Sequence, residues 1–326
     1  MKTVISTDRV AAVELLRKGK VVALPTETVY GLAAGALNSI AVAKIFEAKE
    51  RPRFDPLITH LPNREWLERI VDVPAGDRQL VGKLADKFWP GPFTMVLPKR
   101  KIVPDIVTAG LDTVAVRISA HPVFAEIVSE LDEPVAAPSA NLFGRVSPTT
   151  AEHVLDELDG RIPLIVDAGP TEHGIESTIV SVQDDRIAVL RRGPITDEEL
   201  SEFADIVSLR LTQGISAPGQ LPSHYTPTTP LRLIDEAKNF SPQKKQRVGL
   251  LAWGSAFRSS MPLQLEAFAA IRNLSNRGNL REAAANLFRY LRELDALGLD
   301  LIVAERIPVR GLGAAIMDRL ERASHR

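Results

Sequence analysis

The residues best placed to do chemistry stand in Lys49-Glu50-Arg51-Pro52-Arg53-Phe54-Asp55-Pro56-Leu57-Ile58-Thr59-His60. A helical pattern from Asn38 to about Glu50 must stop here, because Pro52 pushes Arg51 out of the helical region into an extended conformation. Residues two apart share a face in extended chain but not on a helix. An exit at this point therefore aims Lys49 and Arg51 into one space. Three cations around an irregular loop make a place for an anion. The same residues also fit a plain helix end, where Lys and Arg complement the dipole and cap carbonyls. This stretch alone leaves both readings open.

Five other stretches could contribute. Pro25-Thr26-Glu27-Thr28-Val29-Tyr30-Gly31-Leu32 leaves an apolar run, with Thr26, Thr28 and Tyr30 on one face and Glu27 read as an exposed carboxylate. Pro138-Ser139-Ala140-Asn141 repeats the spacing of two, so Ser139 and Asn141 can point one way. The alternative is a Ser/Asn turn before a helix. Arg117 ends the apolar strand Thr113 to Ile118, where an arginine is unusual unless paired or binding an anion, and Arg191 and Arg192 follow another strand. His224-Tyr225-Thr226-Pro227 lies in a proline-rich segment. A core role is hard to justify for an aromatic there, so Tyr225 is expected to cover a ligand. His60 fits either a satisfied core histidine or a ligand contact. The sequence has no P-loop, no G-x-G-x-x-G and no zinc-type ligand spacing, so any nucleotide would be held by another device.

These residues need elements to carry them. Length, 326 residues, suggests about two domains, and 45 % hydrophobic with 25 % charged residues is ordinary globular composition. A net charge of -1 gives no global attraction to nucleic acid or anionic membrane. The absence of cysteine excludes disulfides, thiol nucleophiles and thiolate metal ligands. With neither a signal-peptide core nor a bilayer-length apolar run, a cytoplasmic protein with no membrane partner is expected.

The expected elements are a helix to Leu16-Arg17, a covered strand Val21 to Leu24, the helix from Asn38, and strands Phe93–Leu97 and Thr113–Ile118. A helix Pro122–Leu131, a short strand Val135–Ala137, a helix capped by Thr149 or Thr150, and a hairpin around Asp184-Asp185 follow. Irregular alternation with an antiparallel hairpin predicts α/β layers on a mixed sheet over 1–208. Residues 209–230, rich in proline, read as a semi-rigid linker. Residues 231–326 read as a small α/β domain on a parallel sheet: strand Arg247–Trp253, strand near Leu263–Ala269, helix Asn279–Leu294, strand Leu301–Ala304 and helix Gly313–Arg322.

Taken together, the stretches at Pro25–Leu32, Lys49-x-Arg51-Pro52 with Pro56-Leu57 and His60, Phe88–Thr94, Val116-Arg117, Pro138–Asn141, Ser177–Val180 and Arg191-x-Gly193 resemble the Sua5/YciO/YrdC family in order and spacing. The tail and the segment Pro218-Gly219 to Pro227 resemble its longer, Sua5-type branch. The resemblance implies a twisted mixed-sheet YrdC-like catalytic domain with a concave cavity, followed by a small Rossmann-like domain. It implies formation of threonylcarbamoyl-adenylate and pyrophosphate from L-threonine, bicarbonate and ATP, for modification of adenosine 37 in tRNAs reading codons that begin with A. A separate tRNA threonylcarbamoyltransferase would accept the product, and direct tRNA contact would not be required.

By the same resemblance Lys49, Arg51, Ser139 and Asn141 form a catalytic tetrad. Thr28, His60, Arg117, Ala137 and Ser177 hold threonine, and Arg51, Asp55, Thr113, Ser139, Ser147, Arg191 and Tyr225 lie along ATP. Mg²⁺ is expected on the phosphates, and the linker is expected to close over the site. The family often has asparagine where Asp55 stands. Two other readings are an RNA-binding module of the same fold without this catalysis, and a carbamoyl-adenylate enzyme of hydrogenase maturation. The latter needs zinc-finger segments that a chain without cysteine cannot form.

Overall fold

The structure, a computed structural model, describes residues 2–207, 217–219, 221, 224–255 and 267–325. By contact density the chain forms two units. The first comprises Met1–Phe143, Pro148–Glu172 and Glu176–Gln220, and the second Gly144–Ser147, His173–Ile175 and Leu221–Arg326. Half of the proline-rich 209–230 segment falls outside the described residues.

Along the first unit run β1 (Val4–Ser6), α1 (Arg9–Arg17), β2 (Val22–Leu24), β3 (Gly31–Gly35), α2 (Ser39–Lys49) and β4 (Ile58–His60). Next come α3 (Glu65–Ile70), α4 (Arg78–Phe88), β5 (Phe93–Pro98), α5 (Asp105–Thr108), β6 (Thr113–Arg117), α6 (Pro122–Leu131) and β7 (Val135–Ala136). The unit ends with α7 (Ala151–Leu158), β8 (Leu164–Val166), β9 (Thr178–Gln183), β10 (Arg186–Arg191), α8 (Asp197–Ser201) and β11 (Ile206–Val207). The strands form one mixed sheet in the order β1-β8-β2-β3-β7-β4-β6-β5-β9-β10-β11.

Period-two alternation gives this sheet two apolar faces. Val21, Ala23, Leu32, Met95, Val116 and Val180 pack on one side with Ile45, Phe46, Leu84 and Phe88 of α2 and α4. Val22, Leu24, Ala33 and Val135 turn to the other side, against Val13 and Leu16 of α1 and Val123, Phe124 and Ile127 of α6. Ile58, Val96, Ala115 and Ile179 continue that second face as a smaller cluster with Ala217. The hairpin of β9 and β10 turns on Asp184 and Asp185, both at positive φ, as a tight two-residue connection requires.

The second unit carries β12 (Leu231–Ile234), β13 (Val248–Ala252), β14 (Ala270–Asn273), α9 (Leu280–Asp295), β15 (Leu301–Glu305) and α10 (Leu312–Ser324). Its sheet is parallel throughout, in the order β12-β15-β13-β14. Asn279 caps α9 by accepting from the Arg281 and Glu282 amides. The strand expected near Leu263–Ala269 is instead Ala270–Asn273, and 261–266 lie outside the described residues. No helix among the described residues is long and apolar enough to cross a membrane.

Candidate active site

Helix α2 begins where the Asn38 side chain accepts from the Ile40 and Ala41 amides, and it buries Ala41, Val42, Ile45, Phe46 and Lys49. Its end differs from the expected extended exit at Arg51. Glu50 adopts the left-handed conformation (φ 53°, ψ 35°). The Glu50 amide bonds the Glu47 carbonyl at 3.2 Å, and the Arg51 amide bonds the Phe46 carbonyl at 3.0 Å. This paired motif normally uses glycine, and a side chain there costs on the order of 1–2 kcal/mol. The reversal carries Arg51 back beside Lys49, so both cations are buried together, while Arg53 and Phe54 remain exposed.

Lys49 Nζ donates to the backbone carbonyls of Ser139 and Asn141, each at 2.5 Å. The expected meeting of these segments therefore occurs, but through the Ser139 and Asn141 main chain. The Asn141 side chain donates from Nδ2 to the Leu142 carbonyl. Ser139 is held by bridge pairing with Gly31, where a Cβ would already press within 3.3 Å of Ala137. Burial, and then the neighbouring Arg51 charge, push the Lys49 ammonium well below its ordinary range, against the opposing pull of Glu157 and Asp55.

Arg51 is fixed by its own loop. Nε donates to the Asp55 carbonyl and Nη2 to the Pro56 carbonyl, and Nη2 stands 2.9 Å from an Asp55 carboxylate oxygen. Asp55 is fully buried, and burial raises its carboxyl despite the attraction of Arg51, Lys49 and Arg191. Thr113 opens β6; continuing the parallel register of Ile58 with Ala115 back two residues sets it level with Pro56.

A second group lies on the sheet face of Ile58 and Ala115. His60 and Arg117 are register partners at the carboxyl ends of β4 and β6, the edge where open α/β sheets place ligands. His60 is buried against Phe124, and its Nδ1 has no partner among the described residues. Burial, followed by the Arg117 charge, lowers its imidazole to about 3, so it is neutral at physiological pH. Arg117 Nε donates to the Gly91 carbonyl at 3.0 Å and Nη1 to the Thr28 hydroxyl at 3.1 Å. Thr28 also bonds Thr26, hydroxyl to hydroxyl, at 2.8 Å. Ala137 continues from β7, with its amide on the Ile58 carbonyl.

Ser177 bonds the Thr94 hydroxyl at 2.8 Å and accepts from Arg191 Nη2 at 3.1 Å, while Arg191 Nε donates to the Ser177 carbonyl. Gly193 makes this possible: a Cβ there would come within 2.4 Å of the Thr178 nitrogen and 2.6 Å of the Glu176 carbonyl.

One participant escaped the sequence reading. Glu27 is not an exposed carboxylate but 4 % exposed, with Oε1 at 2.7 Å from Arg117 Nη2. It also accepts from the Ser119 hydroxyl and the Ala120 amide. Burial alone would raise its carboxyl, but Arg117, Ser119 and Ala120 together hold it at about 2. The available signal was Arg117 itself, since an arginine ending a buried strand needs an acidic partner.

Ser147 and Tyr225 belong to the second unit. Ser147 is buried, and its carbonyl accepts from Arg292 Nε at 3.4 Å. Tyr225 does take a core position there, contrary to the sequence expectation. Its ring stacks on Phe288 at 5.3 Å, meets His224 edge-on at 4.1 Å and lies beneath the Arg319 guanidinium. The aromatics of α9 supply the packing that the local proline-rich sequence lacks.

This layout has counterparts among known proteins. The Sua5/YciO/YrdC family model, described as telomere recombination, matches residues 14–193. The chain belongs to the Sua5/YciO/YrdC family. A second model, described as the threonylcarbamoyl-AMP synthase C-terminal domain, matches residues 195–325. The chain is 38 % identical to the threonylcarbamoyl-AMP synthase of Pyrococcus abyssi, covering 97 % of this chain and 93 % of the relative. It is 42 % identical to that of Bacillus subtilis, covering 96 % and 92 %. The crystal structure of P. abyssi Sua5 complexed with L-threonine superposes with a TM-score of 0.84 at 36 % identity, over 99 % of this chain and 97 % of that one.

Proposed function

We propose that this family member is a threonylcarbamoyl-AMP synthase, a nucleotidyltransferase that joins L-threonine, bicarbonate and ATP into threonylcarbamoyl-adenylate and pyrophosphate. The observation that carries the reading is electrostatic. Lys49, Arg51 and Arg191 all act on one buried carboxylate, Asp55, and Glu157 adds a second acidic group near Lys49, so three buried cations meet two carboxylates. Such an excess suits a triphosphate.

The chemistry asks for little more. Threonine's amine adds to bicarbonate carbon with loss of water, giving a carbamate anion. A carbamate oxygen attacks the α-phosphorus, and the bond from that phosphorus to the α,β-bridging oxygen breaks, so the β- and γ-phosphates leave as pyrophosphate. The nucleophile is already charged, so positioning and neutralisation of phosphate charge replace a strong base. In this reading Lys49, Arg51, Ser139 and Asn141 hold the reacting carboxylate and phosphates, with Asp55, Thr113 and Arg191 along ATP. Arg117 takes the threonine carboxylate, and Thr28, neutral His60, Ala137 and Ser177 surround the amino acid.

The described residues form no cluster of three metal-binding side chains. A Mg²⁺ ion would ride on the phosphates, with buried Asp55 the carboxylate able to meet it or its water shell. It would supply further neutralisation of phosphate charge. The product would pass to a separate tRNA threonylcarbamoyltransferase. Mass spectrometry of a reaction containing all three substrates tests the reading: threonylcarbamoyl-adenylate should form, and its absence from a folded, ATP-binding protein would refute it.

A further inference from the structure

The geometry points to Glu27 as a positioning residue that orients Arg117 for the amino-acid carboxylate; this deepens, and rests on, the synthase reading above. Arg117 has five N–H donors. Two are committed as hydrogen bonds, Nε to the Gly91 carbonyl and one Nη1 hydrogen to Thr28, while Nη2 forms an ion pair with Glu27 Oε1 at 2.7 Å. Hydrogens on both Nη1 and Nη2 remain, so the guanidinium can still offer the two parallel donors that a carboxylate takes in a two-pronged contact. The guanidinium is 3 % exposed and Glu27 4 %, so neither reorients freely in water.

Glu27 is itself held from outside the pair. The Ser119 hydroxyl and the Ala120 amide both donate to it. These residues follow β6, two and three positions beyond Arg117. Glu27 therefore ties the segment leaving β2 to the segment leaving β6, and the guanidinium plane between them is fixed by three directions. Without the carboxylate, Thr28 and Gly91 would still hold one side, but rotation about the last side-chain bonds would be free on the other. A planar carboxylate is recognised by a fixed fork, so affinity for the amino acid should fall while nucleotide affinity should not.

Glu27 acts through Arg117 and does not touch substrate in this account. A glutamate that only held the fold would weaken both substrates together. The test is Glu27→Gln in the full-length protein, which keeps shape and removes the charge, with L-threonine and ATP affinities measured separately by calorimetry. Threonine binding should weaken at least tenfold with ATP binding within twofold of wild type. Equal weakening of both, or unchanged threonine binding, overturns the assignment. If the Gln variant does not fold, Ser119→Ala removes one of the two outer holds on Glu27 and should produce the same threonine-selective loss; its absence also overturns it.

The orientation can be read independently of the function. In the ligand-free protein the Arg117 Nη2 hydrogens beside Glu27 should be protected from exchange, and Glu27→Gln should abolish that protection while the Nε–H, held by the Gly91 carbonyl, keeps its own. If protection changes as expected but wild type binds no threonine, the synthase reading fails while the Arg117–Glu27 assignment stands. Unchanged protection overturns the assignment itself.

Discussion

Lys49→Met separates the electrostatic role of the buried lysine from its structural one. The ammonium is 1 % exposed and spans two carbonyls from another segment at 2.5 Å. Removing it leaves two buried acceptors unpartnered, at roughly 1–3 kcal/mol each. It also removes a desolvated charge beside Arg51, whose burial penalty is itself several kcal/mol. These terms oppose, so the melting temperature should move by no more than about 4 °C. Activity should behave differently. A cation about 4 Å from a phosphate oxygen contributes about 4 kcal/mol at an effective dielectric constant near 20. The variant should lose roughly three decades of threonine-dependent pyrophosphate release. The assay pair is a thermal melt and pyrophosphate release at saturating ATP. Activity within tenfold of wild type would refute the reasoning, and so would a variant that simply unfolds, since Lys49 would then be a structural strut.

Other outcomes follow from the same geometry. Burial lowers Lys49 and raises Asp55, and arriving phosphates should raise both; ATP binding should therefore take up protons and weaken as pH rises, measured calorimetrically in buffers of different ionisation enthalpy. Net proton release would contradict this. The unfolded chain protonates His60 near 6.5 and the folded protein only near 3, so stability is present above 6.5 and lost as pH falls, by about 2 kcal/mol at pH 5. Urea unfolding at pH 7 and 5 should show this slope, and His60→Asn should remove it; a slope unchanged in the variant refutes it. Glu27 does not enter that comparison, because its contribution is present above 4.5 and declines only toward 2. Gly193→Ala, whose Cβ would meet backbone at 2.4 Å, should cost about 1–3 kcal/mol in urea unfolding; unchanged stability would refute the close-approach role.

Much of the first unit was legible because its buried strands and amphipathic helices carry period signals strong enough to read locally. Val22–Leu24, Ser39–Lys49, Thr113–Arg117 and Pro122–Leu131 fall within the expected segments. Gly31–Gly35 was missed because Gly-Leu-Ala-Ala-Gly has no β-branched residue; pairing with β2 and β7 makes it a strand. Leu231–Ile234 follows a proline and gains its strand character from pairing with β15. In the candidate site, the proximity of Lys49 and Arg51 was readable from Pro52, but the left-handed Glu50 that performs the reversal was not. The positive φ of Glu50 is accompanied by the amide bonds of Glu50 and Arg51 to the Glu47 and Phe46 carbonyls, which the residue type does not announce. The burial of Glu27 and the core packing of Tyr225 went unread for one shared reason. Their partners, Arg117 and Phe288, stand far away in sequence, and no local pattern encodes a long-range contact.

The central claim is that one site uses amino acid, bicarbonate and nucleotide together. Pyrophosphate release by the wild-type protein should be measured in the complete mixture and with L-threonine, bicarbonate or ATP omitted in turn. The account predicts release only in the complete mixture. Release that persists undiminished without threonine would contradict it.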